Sequence, residues 1–186
     1  MTFEVTYPRA VVFITVLWVL LRAIVCVKEK KFDLKHECRL LLVYVCLVVI
    51  TRFVYFPLHH VDGHIGLLYF DSERILPFRL NFRVFSVRDY HYRGWLGNYI
   101  GNVLMFVPVG LIWPYCFEKL NRLWKVFLAG FAFSLLIELS QLLFYNRTTD
   151  IDDLIQNTFG VLIGAAIYFL AVFIQKRKRE QKEAVE

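Results

Sequence analysis

Apolar residues along this chain gather into five long blocks, covering residues 8–27, 39–58, 96–117, 123–144 and 151–174. Each is about 20 residues long, the length of helix that crosses the hydrocarbon core of a bilayer. The pattern predicts an all-α fold: a polytopic membrane helical bundle of about five transmembrane helices, built as a single membrane domain over residues 1–186. A long extracytoplasmic segment joins helices 2 and 3. No polar stretch is long enough to fold as a soluble domain of ordinary size. A four-span arrangement, with one helix lying in the interface, is the alternative.

Composition agrees with the pattern. The chain is 58% hydrophobic and 17% aromatic, whereas soluble domains are roughly 45–50% apolar. Its net charge is +6, but the positive residues flank the spans and form no single polar face, which argues against nucleic acid as a partner. Lys28, Lys30, Lys31, Lys35 and Arg39 sit in the first connection, and Lys119, Arg122 and Lys125 in the third. Lys176, Arg177, Lys178, Arg179 and Lys182 make residues 175–186 a basic cytoplasmic tail. With five spans these groups share one side, so the N-terminus is expected outside and the C-terminus in the cytoplasm. Cys26, Cys38, Cys46 and Cys116 then fall on the reducing side or in the inner half of the membrane, as suits free thiols. The opening residues carry Glu4 and Arg9 ahead of an apolar run too long for a signal core, and are expected to lead into a retained first helix.

The outer segment, residues 59–95, interleaves Arg74, Arg79, Arg83, Arg88 and Arg93 with Phe70, Phe78, Phe82, Phe85, Tyr90, Tyr92 and Trp95. Guanidinium heads on aromatic bodies suit the headgroup layer. A lid or anion-binding surface is the other reading. Phe78, Leu80, Phe82 and Val84 alternate with Arg79, Asn81 and Arg83, so part of the segment is expected to be extended. His59, His60, Asp62 and His64 form no recognised metal motif, and no metal is expected.

Polar residues inside the spans carry the functional signal. At about 1.5 Å per helical residue, Glu138, Gln141 and Arg52 reach the outer half of the membrane, as do Asn98 and Asn102 in the third span. Asp150, Asp153, Asn157, Gly160 and Gly164 fall within an arc of about 80° at about 100° per residue. Acids in a first helical turn are favoured by capping and by the helix dipole. That accounts for one or two of Asp150, Asp152 and Asp153, but not for Asn157 or Glu138. A charge near the bilayer centre costs about 2.5–3.5 kcal/mol on insertion scales. Glu138 therefore needs a partner, with Arg52 or Arg147 the natural choice, and the whole set is expected to face one cavity opening outward. Arg22, near the inner end of its helix, is expected to snorkel. Gly160-x-x-x-Gly164 and Gly97-x-x-x-Gly101 are expected to let a neighbouring helix approach closely. Pro108 and Pro114 are expected to kink or end the third helix.

These residues form a pattern. Asn102-x-x-x-Phe106-x-Pro108-x-Gly110-x-x-x-Pro114 precedes Glu138-x-x-Gln141, and Arg147-x-x-Asp150-x-x-Asp153-x-x-x-Asn157-x-x-Gly160-x-x-x-Gly164 follows. The pattern resembles the VanZ family of bacterial membrane proteins over roughly residues 75–170. Pro77-Phe78 resembles a pair that members often carry, although many have an Asn where this chain has Arg74. The resemblance implies a cell-envelope role in a bacterial cytoplasmic membrane, linked to resistance to teicoplanin, a lipid-tailed glycopeptide. It carries Asn102, Glu138, Gln141, Arg147, Asp150, Asp153 and Asn157 over as ligand-binding residues. The implied partners are membrane lipids, a lipid-linked peptidoglycan precursor or the lipoglycopeptide itself.

Two functions stay open. In one, the polar residues bind such a molecule without chemistry. In the other, an intramembrane enzyme acts on a lipid-linked or phospholipid substrate, with Glu138, Asp150 and Asp153 as paired carboxylates. Asp150 and Asp153 could then hold a divalent cation against a pyrophosphate. The lack of an obvious nucleophile favours binding, and no cofactor is expected.

Overall fold

The computed structural model describes residues 2–30, 32–56, 60–61, 64–73, 76–84 and 95–184. Of the residues singled out above, Lys31, His59, Asp62, Arg74, Phe85, Arg88, Tyr90, Tyr92 and Arg93 lie outside the described residues. The metal reading of the histidines and much of the arginine–aromatic segment lie outside them too.

Five helices follow the apolar blocks. They are α1 (Tyr7–Glu29), α2 (Leu34–Tyr55), α3 (Trp95–Cys116), α4 (Leu123–Gln141) and α5 (Ile151–Glu183). Among the described residues, these five are long and apolar enough to cross a membrane. Their ends have local causes. Thr6 caps α1, whose first turn holds Pro8, and Lys30 stops it in a left-handed conformation (φ 50°). The Asp33 carboxylate accepts from the Lys35 and His36 backbone N–H groups to start α2. α3 runs through Pro108 and reaches its end soon after Pro114. α4 stops at Gln141, short of 144, because the Leu143 and Phe144 N–H groups turn back to the Ser140 and Gln141 carbonyls. α5 continues past 174, so most of the basic tail is helical. Lys, Arg, Gln and Glu are good helix formers, and Lys176 and Glu180 pair across one turn.

Short strands complete the described chain. β1 (Thr2–Val5) pairs antiparallel with β4 (Leu68–Asp71), with Phe3 stacked on Phe70. β2 (His60–Val61) pairs antiparallel with β3 (His64–Ile65). β5 (Leu80–Asn81) pairs in parallel with β6 (Thr149–Asp150). The expected extended stretch is thus β5, and its partner strand lies directly before α5.

The contacts gather into two units, Met1–Phe82 with Leu136–Asp150, and Arg83–Leu135 with Ile151–Glu186. In the first, α1 has no buried residue and offers Phe13, Ile24 and Val27 outward, as a lipid-facing helix does. It is tied to α2 by Thr15–Tyr44 (2.7 Å) and by a two-pronged bond from Arg22 to Glu37. Leu40, Val43, Cys46 and Ile50 form the buried side of α2.

In the second unit α3 and α5 lie against each other. A Cβ at Gly160 would strike the Val103 carbonyl, and one at Gly164 would strike the Val107 carbonyl and the Gly110 Cα. Gly110 in turn meets the backbone of Val161 and Ala165. Gly97-x-x-x-Gly101 behaves differently. A Cβ at either position meets no described residue within 4 Å, so among the described residues no helix approaches closely there. The reason is position: both residues lie in the first turns of α3, before its close crossing with α5.

Candidate functional site

The polar residues of the first unit assemble around the end of α2. A helix leaves its last carbonyls without intrahelical donors. Here side chains supply them: Gln141 Nε2 donates to the Val54 carbonyl (3.4 Å), Arg147 Nη2 to that of Tyr55, and Arg52 Nη1 to that of Phe56. Two guanidinium groups thus meet the negative end of the α2 dipole, where cations are favoured.

Glu138 lies in the last turns of α4 and is 2% exposed. Its Oε2 accepts from the Asp150 backbone N–H at 3.0 Å, and its backbone carbonyl accepts from the Thr149 hydroxyl at 2.8 Å. Strand β6 is therefore buckled onto α4 at this one residue. The Asp150 carboxylate accepts from Asn81 Nδ2 at 2.8 Å. Asp150 was expected on the helical face with Asp153 and Asn157. It stands in β6, immediately before the helix, where its carboxylate is taken by Asn81 and its backbone N–H by Glu138. The expected cationic partners, Arg52 and Arg147, both donate to the end of α2.

Tyr55 bonds to Ser140, and the Ser140 hydroxyl donates to the Ile137 carbonyl at 2.7 Å. A hydroxyl has one proton, so Tyr55 is the donor of the pair.

The polar residues of the second unit link α3, α4 and α5. Asn102 Nδ2 donates to Asp153 Oδ1 at 2.7 Å and to Gln156 Oε1 at 3.1 Å. Asn157 Nδ2 donates to Ser134 Oγ at 3.1 Å. Ser134 and Asn157 are both buried, as are Gln156 and Asp152. Asp153 and Asn157, read as one face, thus turn to different neighbours. Two buried acceptors, Gln141 Oε1 in the first unit and Asn157 Oδ1 in the second, have no donor among the described residues.

Tyr55, Asn81, Ser134, Ser140 and Gln156 were not among the expected site residues. Spacing held signals for three of them. Ser134 precedes Glu138 by one helical turn, Gln156 follows Asp153 by three residues, and Asn81 alternates with Leu80 and Phe82. Nothing local marks Tyr55 or Ser140.

Comparison with known proteins agrees with the motif. A family model described as VanZ/LLP1 matches residues 40–173. Protein VanZ of Enterococcus faecium is 35% identical over 111 residues, which is 52% of this chain and 66% of that protein. The match therefore covers slightly less than two thirds of that relative's length. No solved structure matches the chain. The matched region starts well before residue 75 and takes in most of α2. Structure explains why α2 belongs with the motif, since Gln141 and Arg147 both bond to its end.

Proposed function

The chain belongs to the VanZ/LLP1 family and is a multi-pass membrane protein, and from that premise we propose a binding role in the bacterial cell envelope. Its ligand is an envelope lipid, a lipid-linked wall precursor or a lipoglycopeptide, and its effect is protection against teicoplanin-like antibiotics. One observation carries the reading: Glu138, in a membrane helix, is 2% exposed and is aimed by the Asp150 N–H. An ionisable residue buried in a membrane helix is costly, up to about 2.5–3.5 kcal/mol at the bilayer centre on insertion scales, and is a mark of function. Gln141 adds a buried acceptor one turn along α4. Carboxylate and amide acceptors suit hydroxyl, amide and ammonium groups, while Arg147 suits phosphate. Within the second unit, taken by itself, Asn102, Asp153 and Asn157 offer amide and carboxylate groups of the same kinds.

The protein sits in the cytoplasmic membrane with its N-terminus outside, following the Lys and Arg bias of its connections. The test is drug susceptibility in a sensitive bacterial host. Glu138→Gln and Asp153→Asn are expected to lose teicoplanin protection while both variants remain inserted at normal level. Unchanged protection in both would defeat the binding role. Turnover of envelope lipids by purified protein, lost in Asp153→Asn, would replace it with an enzyme.

A further inference from the structure

We propose that residues 76–82 form a strap seated in the bilayer, with an apolar face turned to lipid acyl chains and a polar face that holds Asp150.

Depth comes first. β5 pairs with β6 so that Leu80 lies beside Thr149 and Asn81 beside Asp150, and the Thr149 N–H donates to the Arg79 carbonyl at 3.0 Å. β6 is in turn fixed to Glu138 through the Thr149 hydroxyl and the Asp150 N–H. Glu138 lies about 4.5 Å inside the end of α4, at about 1.5 Å per residue. The strap is therefore level with the last turn of a membrane-crossing helix and does not lie above it.

Its two faces come next. In an extended chain alternate side chains share a face. Phe78, Leu80 and Phe82 are 47%, 45% and 70% exposed, and Leu76, before the bend at Pro77, is 68% exposed. Arg79 and Asn81 alternate with them, and Asn81 turns in to Asp150. Four large apolar side chains held open on one short segment would be a costly patch in water, at about 25 cal/mol per Å². Against acyl chains they cost nothing. The Arg79 guanidinium can reach lipid phosphates from the same level. Extended backbone at this depth needs protein partners for its polar groups, and β6 supplies them along one edge.

The test uses the full chain in phosphatidylethanolamine–phosphatidylglycerol vesicles. Photoreactive benzoylphenylalanine replaces Phe78, Phe82 or Asn81 in turn, with Leu136 on the exposed side of α4 as the lipid-facing control. After irradiation the intact protein is weighed. A one-lipid mass shift is expected at Phe78 and Phe82, as at Leu136, and its loss is expected at Asn81. No lipid shift at either phenylalanine, a shift by the mass of a second chain, or an equal lipid shift at Asn81 would overturn the proposal. Leu80 serves in place of a phenylalanine whose replacement prevents insertion.

Discussion

Arg22 shows how one residue's role depends on a partner that spacing does not reveal. Near the end of a membrane helix it looks free to snorkel. In the fold its guanidinium instead grips Glu37 of α2, with Nε on Oε2 at 2.9 Å. The side chains are 22% and 20% exposed, so screening by water is limited. A planar fork on a carboxylate is the strong form of this pair. Polar contacts between membrane helices couple by about 0.6 kcal/mol on average and by up to about 1.7 kcal/mol. The Arg22→Gln, Glu37→Gln double-mutant cycle is expected to lie in the upper half of that range, measured by equilibrium unfolding in mixed detergent. Additive single effects would show that the pair contributes nothing. Glu138 is the contrasting case. Arginines were its expected partners, and one bond that charge alone would not suggest reaches its Oε2 from a backbone N–H in β6. No reading of side chains alone selects a main-chain donor twelve residues away.

Two identical glycine motifs separate at the scale of the element. Gly160-x-x-x-Gly164 lies where α5 crosses α3, and an added methyl group at Gly164 would meet the Val107 carbonyl. A backbone atom cannot swing aside as a side-chain tip can. Gly164→Ala is expected to cost about 1–3 kcal/mol, as overpacking does, and to lower the midpoint of thermal unfolding in detergent. Gly101→Ala meets open space, so it should be neutral or gain the roughly 0.5–1 kcal/mol that alanine gains over glycine in a helix. Equal losses at both sites would contradict the α3–α5 crossing. The strand β6 makes the complementary point. Thr149 and Asp150 sit before an apolar helix and have the composition of a cap, yet they pair with Leu80 and Asn81.

For the whole molecule, the length of α5 gives a simple constraint. Its 33 residues extend about 50 Å at about 1.5 Å each, against a hydrocarbon core about 30 Å thick. The helix must emerge, and it emerges through Lys176, Arg177, Lys178 and Arg179. Arg177 folds back over the Phe173 ring at 5.0 Å, marking where apolar surface gives way to headgroups. With the positive connections on one side, a fluorescent-protein fusion at the C-terminus should glow and an alkaline-phosphatase fusion there should be inactive. A phosphatase fusion in the connection between α4 and α5 should be active. The reverse pair of results would invert the orientation argued from charge.

Five membrane helices were legible in the sequence because lipid leaves a chain little choice. A segment of about 20 apolar residues must satisfy its own backbone groups, and a helix does that without outside help. The polar residues stood out for a related reason, since each is expensive in that solvent. Their partners were not. Asn81 on Asp150, Arg147 on the end of α2 and Tyr55 on Ser140 join positions 69, 92 and 85 residues apart, and a hydrogen bond reaches only about 3 Å. Such pairs exist only after the helices and strands have been brought together, so tertiary structure alone decided them.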